Sequence, residues 1–188
     1  MTDAPARARW SAFAAAAVTL LLAAMLIMGW TVIGPGNPVY AVVVAAGTFG
    51  LVPFIGDPME RLLRANRTAA RVFAVGSHEV RLWRLLGVAA FDRLLELSRW
   101  NRLIAGRFDG TRAALPAFVR AVRSSMTAHA VGFIVHLVCA AAALAAGHQV
   151  SALAIFGLGL PLHFYPAALQ RTILWRVQHL PATLRRVR

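Results

Sequence analysis

The chain has 188 residues, of which 59% are hydrophobic and only 14% are charged, whereas soluble domains average about 45–50% apolar and about 25% charged residues. Its one cysteine, Cys139, lies inside an apolar run, which excludes a disulfide scaffold. The net charge of +13 comes from arginine, and every arginine lies outside two long uncharged runs. This distribution is typical of membrane topology and argues against nucleic acid as a partner.

The two uncharged runs, residues 10–56 and 124–170, are 47 residues long each. At about 1.5 Å per residue, a helix of that length reaches roughly 70 Å. This is enough to cross a hydrocarbon core of about 30 Å twice. We therefore predict an all-α membrane protein with four transmembrane helices in two hairpins. The spans are expected at about residues 11–33, 39–55, 126–146 and 150–170.

The first hairpin is predicted from its length and its turn residues. The span at 11–33 is longer than the 7–15 apolar residues of a signal peptide, so we expect it to be retained. The run Gly34-Pro35-Gly36-Asn37-Pro38 predicts the turn that ends it. In the second span, Gly47 and Gly50 favour the close approach of another helix. Asp57-Pro58 predicts the exit from the membrane.

Residues 57–123 are predicted to form a basic segment with amphipathic helices in the cytosol or at the membrane surface. From Met59 to Phe73 the pattern is typical of a helix on the inner leaflet, with its arginines at the lipid phosphates. Ser77 is a suitable N-cap for the next helix, and Gly87 is suitable for ending it. The arginines predict contact with anionic inner-leaflet lipids. Binding of one specific anionic group is the alternative.

The second hairpin has a tight turn at Gly147-His148-Gln149, which makes the third and fourth spans antiparallel neighbours. Pro161 and Pro166 predict a kink or local unwinding of the fourth span. Residues 171–188 form a basic tail.

The arginines also predict the orientation. The net charge is +1 over residues 1–9, +7 over 57–123 and +5 over 171–188, while both turns carry no formal charge. The positive-inside rule then places both termini and the middle segment in the cytoplasm. The prediction is a multi-pass protein of the bacterial inner membrane. Its four parts are residues 1–56, 57–123, 124–170 and 171–188.

Histidine carries the question of chemistry, because the spans contain no carboxylate, lysine or arginine. His129 and His136 lie two turns apart on one stripe of the third span, and His163 comes at an intermediate depth on the fourth. Three interpretations stay open. They are hydrogen bonding between helices, general-base catalysis on a hydroxyl, and ligation of a metal or haem. We expect no metal, and Tyr165, Thr127 and Gln170 are candidates for the same polar layer.

From residue 78 onward, a series of short sequence motifs occurs in a defined order and at defined positions relative to the spans. They are Glu79 and Trp83, Leu86-Gly87-Val88, Phe91-Asp92-Arg93 with Leu94-Leu95, Gly106 and Phe108, Phe118-Val119-Arg120 with Arg123, His129, and Gln170-Arg171 with Arg176. This order resembles the glycosyl-diaponeurosporenoate acyltransferase family of bacterial carotenoid biosynthesis. These small integral membrane enzymes acylate a sugar hydroxyl of a glycosylated carotenoid. The resemblance covers a little over half of the chain.

The resemblance implies a membrane-embedded acyltransferase that moves a fatty acyl group onto a hydroxyl of a glycosylated carotenoid or another membrane glycolipid. The expected catalytic residues are His129 as the general base, His136 and His163. The expected substrate-binding residues are Arg120, Arg123, Gln170, Arg171 and Tyr165. No cofactor is expected besides an acyl donor such as acyl-CoA as co-substrate. The alternative is a non-enzymatic accessory subunit of a larger inner-membrane complex, and a protein partner or a homo-oligomer fits either function.

Overall fold

The computed structural model describes the backbone of residues 4–99 and 111–180 and the side chains of residues 13–99 and 111–180. Within these residues the chain is helical and has no strand. Four helical stretches are long and apolar enough to cross a membrane, as predicted. They are Phe13–Ile33, Pro38–Ala65, Leu115–Ala145 and Gln149–Gln178. By length and composition the chain is therefore a multi-pass membrane protein. Gly106, Phe108 and most of the basic tail lie outside the described residues.

Seven α-helices follow one another within the described residues. They are α1 (Ala4–Met28), α2 (Pro38–Ala65), α3 (Ser77–Leu85), α4 (Val88–Leu97), α5 (Leu115–Ala145), α6 (Gln149–Gly159) and α7 (Tyr165–Gln178). A π-helical turn, Gly29–Ile33, extends α1, and a second one, Leu160–Phe164, joins α6 to α7. A short 3-10 helix, Ala69–Phe73, lies between α2 and α3.

The turns lie where the sequence predicts them. Gly34 and Gly147 have φ angles of +86° and +84°, which glycine adopts without strain. Asn37 caps α2, because its side-chain oxygen accepts a hydrogen bond of 3.0 Å from the Val39 amide. A Cβ at Gly36 would stand 2.8 Å from Nδ1 of His148. The two turns therefore contact each other at the same end of the bundle.

Helices α2 and α5 form the centre of the bundle. Helix α1 packs against α2, while α5 packs against α2, α6 and α7. A Cβ at Gly56 of α2 would stand 2.6 Å from the Ser124 carbonyl oxygen of α5, so the two backbones meet there. Gly47 lies against side chains of α1, as predicted, whereas a Cβ at Gly50 would have nothing within 4 Å.

Three helices continue beyond the predicted spans. Helix α2 passes Asp57-Pro58, where the sequence predicts the exit from the membrane, and runs to Ala65. Pro58 removes one hydrogen bond of the helix, but the contact of Gly56 with α5 and the burial of Glu60 hold the next turns against the bundle. Helix α5 begins at Leu115, eleven residues before the predicted start, and α7 ends at Gln178.

Two apolar clusters occupy opposite ends of the bundle. One includes Tyr40, Val44, Cys139 and Ile155 and lies near the two turns. The other joins the segment around Phe73 to the first turns of α5 and to the end of α7. Between the two clusters, α2, α5 and the second π turn bury polar side chains, and these form the candidate site.

Candidate functional site

Four polar side chains from three membrane-spanning stretches meet in the middle of the bundle. Thr48 comes from α2, His129 and His136 come from α5, and His163 comes from the second π turn. The ring centroid of His163 lies 5.5 Å from that of His129 and 5.3 Å from that of His136. Thr48, His136 and His163 are completely buried, whereas His129 is only partly buried. We call these four residues the histidine–threonine chain.

Their polar atoms form a series of contacts that ends on a backbone carbonyl. Nδ1 of His129 lies 3.4 Å from Nδ1 of His163. Nε2 of His163 lies 3.0 Å from Oγ1 of Thr48, which lies 3.1 Å from Nε2 of His136. Nδ1 of His136 lies 2.7 Å from the Ile155 carbonyl oxygen. The sequence groups the three histidines, and the structure connects them through a hydroxyl.

The Ile155 carbonyl fixes the direction of these hydrogen bonds. Because a carbonyl only accepts, Nδ1 of His136 carries the hydrogen, and Nε2 of the neutral ring carries the lone pair. The Thr48 hydroxyl then donates to His136 and accepts from Nε2–H of His163. Nδ1 of His163 accepts in turn from Nδ1–H of His129. In this arrangement of neutral rings, the last lone pair lies on Nε2 of His129.

Other carbonyl groups compete for the hydrogens of this chain. Oγ1 of Thr48 lies 2.8 Å from the Val44 carbonyl oxygen and 3.1 Å from that of Ala45, in its own helix. The Leu162 carbonyl lies beside His129 and is a second acceptor for an imidazole N–H. If the Thr48 hydrogen pointed only to Val44, its oxygen lone pair would face the lone pair of His136. Donation toward His136 removes that repulsion.

Two glycines make room for the rings. A Cβ at Gly132 would stand 2.5 Å from Nδ1 of His163, and a Cβ at Gly159 would stand 2.9 Å from the Cβ of His136. Gly132 lies between His129 and His136 on the same face of α5, so the ring of His163 enters a notch in that face. The chain of contacts therefore depends on glycine at both positions.

The second π turn is the local structure that carries His163. Its residues Leu160–Phe164 include Pro161, which lacks the N–H that a regular helix needs. The sequence predicts this unwinding from its prolines, and the structure shows it as a wider turn rather than a break. Wide turns of this kind occur frequently at functional sites.

Tyr165 and Gln170 do not join the histidine–threonine chain within the described residues. The Tyr165 hydroxyl donates a hydrogen bond of 3.0 Å to the Leu86 carbonyl, and its ring stacks on Phe91 at a centroid distance of 5.2 Å. Oε1 of Gln170 is buried and has no hydrogen-bond partner in the described part of the protein.

The three arginines that the sequence singles out have different surroundings. Arg120 is exposed on α5. The guanidinium of Arg123 lies over the ring of Phe73, 5.3 Å from its centroid. Arg171 donates to both carboxylate oxygens of Glu79, with Nη2 to Oε2 at 2.7 Å. It also donates to the carbonyls of residues 72 and 74, at 2.6 Å and 3.2 Å.

The pair of Glu79 and Arg171 connects α3 to α7. Partial burial raises the pKa of Glu79. The hydrogen bonds and the charge of Arg171 lower this pKa, as does a hydrogen bond of 3.0 Å from the Trp83 indole, and together they outweigh the effect of burial. The net pKa of Glu79 lies below its ordinary value. The carboxylate is therefore charged at neutral pH, and the guanidinium of Arg171 is engaged within the protein.

Sequence reasoning missed Thr48. A threonine in a spanning helix normally bonds a carbonyl one turn earlier, as Thr127 does with the Arg123 carbonyl at 2.8 Å. Thr48 makes the same bond, so nothing in the sequence distinguishes the two residues. Only the position of α2 beside α5 and the π turn brings its hydroxyl to the histidines.

No group of three or more His, Cys, Asp or Glu side chains that would hold a metal ion occurs among residues 13–99 and 111–180. No family model, no curated protein and no solved structure matches the chain.

Proposed function

We propose that this protein is a membrane-embedded acyltransferase that moves a fatty acyl group onto a hydroxyl of a glycosylated carotenoid or another membrane glycolipid. The observation that carries the proposal is the histidine–threonine chain. The directions of its hydrogen bonds leave a lone pair on Nε2 of the partly buried His129. A neutral imidazole with that lone pair is a suitable general base. The order of features that resembles the acyltransferase family supports the same reaction.

The proposed topology has two membrane hairpins in the bacterial inner membrane, with both termini and the amphipathic helices on the cytoplasmic side. Its support is the confinement of arginine to the segments outside the two uncharged runs. The contact of Gly36 with His148 fits two turns on the opposite side. His129 lies six residues after Arg123, roughly 9 Å along α5. In this topology it lies just below the cytoplasmic headgroups, where the hydroxyl of a glycolipid is accessible.

The proposed reaction uses an acyl thioester such as acyl-CoA as the donor. Nε2 of His129 takes the proton of the acceptor hydroxyl while the oxygen attacks the thioester carbonyl carbon. The carbon–sulfur bond then breaks, and the leaving thiolate takes the proton back from His129. The products are the ester and a free thiol.

The other members of the histidine–threonine chain hold the ring of His129 in place. When His129 is protonated, its Nδ1–H stays bonded to the lone pair of His163, whose ring is held by Thr48. The ring thus keeps one orientation in both protonation states. Arg120, Arg123, Gln170, Arg171 and Tyr165 stay predictions as substrate contacts. Gln170 has the best support among them, because its buried amide oxygen has no partner in the described residues.

The test is lipid mass spectrometry of cells that make a glycosylated carotenoid, with and without the protein. We expect an acylated product that His129→Gln lowers by about a hundredfold or more, the usual contribution of a general base. His148→Gln is the matched control, because His148 lies at a turn. Both variants should purify as folded protein, so that a loss of product is not a loss of protein.

Two results would contradict the proposal. A fully active His129→Gln variant excludes this residue as the base. Cells with the wild-type protein and no acylated lipid exclude acyl transfer, and stoichiometric co-purification with a membrane complex would then favour the accessory subunit.

A further inference from the structure

A groove of about 300 Å³ lies between α3, α4 and α7, away from the histidines. The apolar residues that line it include Trp83, Val88, Leu169 and Trp175. Leu169 of α7 comes six positions after His163, roughly 9 Å farther along the helix axis. The groove is therefore a separate feature of the molecule.

Three arginines from three helices line this groove. They are Arg84 of α3, Arg93 of α4 and Arg176 of α7. All three are exposed, and none forms an ion pair within the described residues. Arginines that only anchor a protein need to face the lipid surface, whereas these three line one space. Planar guanidinium groups around one space suit a phosphate.

The charge balance of the groove indicates the kind of phosphate. Asp92 and Glu96 also line the groove, so its lining arginines outnumber its lining carboxylates by one. A phosphodiester carries a single negative charge and matches that excess. The several phosphates of a coenzyme A thioester would face the two carboxylates at a cost.

Helices α3 and α4 also expose leucines on the surface of the protein. Leu82 and Leu85 of α3 are three residues apart, as are Leu94 and Leu97 of α4, so each pair forms a stripe on its helix. Leu85 is 85% exposed and Leu97 is 82% exposed. Exposure of a leucine to water is unfavourable relative to its burial in an apolar environment. These stripes favour contact with hydrocarbon, which places the groove at the level of lipid headgroups.

We infer that the groove binds an anionic phospholipid, with the phosphodiester between Arg84, Arg93 and Arg176 and the acyl chains beside the leucine stripes. This binding does not depend on acyl transfer. The test is native mass spectrometry of the full chain in maltoside micelles, titrated with dioleoyl phosphatidylglycerol. Phosphatidylcholine is the zwitterionic control, and lauroyl-CoA represents the other source of an acyl phosphate.

The variant Arg84→Gln/Arg93→Gln/Arg176→Gln should weaken phosphatidylglycerol binding by about tenfold or more, because charge-assisted bonds to phosphate are lost. The matched variant Arg67→Gln/Arg81→Gln/Arg112→Gln removes three exposed arginines outside the groove. It should change binding by about twofold at most, since isolated surface charges contribute little.

Equal losses in both variants would overturn the inference in favour of diffuse charge, and equal binding of phosphatidylcholine would overturn it as well. Tight lauroyl-CoA binding that phosphatidylglycerol does not displace would make the groove a donor site instead. A photoactivatable phosphatidylglycerol gives a readout on the wild type that needs no variant. Crosslinks within residues 80–96 and 169–176 are expected, and their absence refutes the inference.

Discussion

Replacing Thr48 with valine keeps the shape of the side chain and removes the hydroxyl that connects two buried histidines. Nε2 of His136 loses its donor, and Nε2–H of His163 loses its acceptor. Each unpaired buried group costs about 1–3 kcal/mol. Since the added methyl group recovers part of this, we expect Thr48→Val to lower the free energy of unfolding by about 2–4 kcal/mol.

The measurement is reversible unfolding by dodecyl sulfate in mixed micelles, followed by circular dichroism. Thr127→Val is the matched control, because Thr127 is also buried and, among the described residues, its hydroxyl bonds only the Arg123 carbonyl of its own helix. That control should cost about 1 kcal/mol or less, and Thr48→Ser should keep most of the wild-type stability. Equal destabilisation by the two valine variants would refute the bridging role of Thr48.

The same reasoning fixes the tautomers, which nitrogen-15 spectra of labelled histidine can read. In the wild type we expect His129 and His136 to carry their hydrogen on Nδ1 and His163 to carry it on Nε2. In Thr48→Val, the ring of His163 loses the acceptor that selects its tautomer, so its two forms should mix. A wild-type His163 protonated on Nδ1 would reverse the direction of the chain and remove the lone pair from Nε2 of His129.

Two further predictions concern packing and charge. Gly132→Ala should lower the free energy of unfolding by about 1–3 kcal/mol, because its Cβ would overlap the ring of His163. In Gly50→Ala the new Cβ meets nothing within 4 Å, so this variant should be neutral or stabilising. Equal effects of Gly132→Ala and Gly50→Ala in the same unfolding assay would contradict the proposed contact between Gly132 and the ring of His163. Glu79→Gln should cost about 1–3 kcal/mol at neutral pH, because it breaks the pair with Arg171. Since folding lowers the pKa of Glu79, this stabilisation is present above the ordinary carboxyl range and is lost as the pH falls through the lowered pKa. Stability measured against pH should therefore converge for wild type and variant in acid, and a constant difference would refute the assignment.

Much of the helical framework is predictable because the signals are local. Long uncharged runs predict the spans, and the glycine at each turn predicts where consecutive spans separate. Proline in the fourth span predicts the unwinding around His163. Asp57-Pro58 predicts the exit of the second span from the membrane, and the helix itself continues past it to Ala65. A distant contact, between Gly56 and Ser124, holds the helix in place there.

The candidate site is predictable only in part. Spacing along α5 and along the fourth span gives the position of each histidine along the helix axis, because helical rise is regular. It does not give the rotation of each helix about its axis. That rotation decides whether His163 faces α5 or the lipid, and it depends on the space left by Gly132 and Gly159.

By itself the sequence determined four helices able to cross a membrane, the turns at Gly34 and Gly147 and the approximate positions of three histidines along the helices, because hydropathy, proline and glycine act over a few residues. Only the tertiary structure decided that a threonine hydroxyl and the Ile155 carbonyl complete the chain of hydrogen bonds. Thr48 and His136 are 88 positions apart in the chain, and no local pattern relates them. Their pairing follows from the packing of the helices, because glycines let the backbones and the rings approach each other closely.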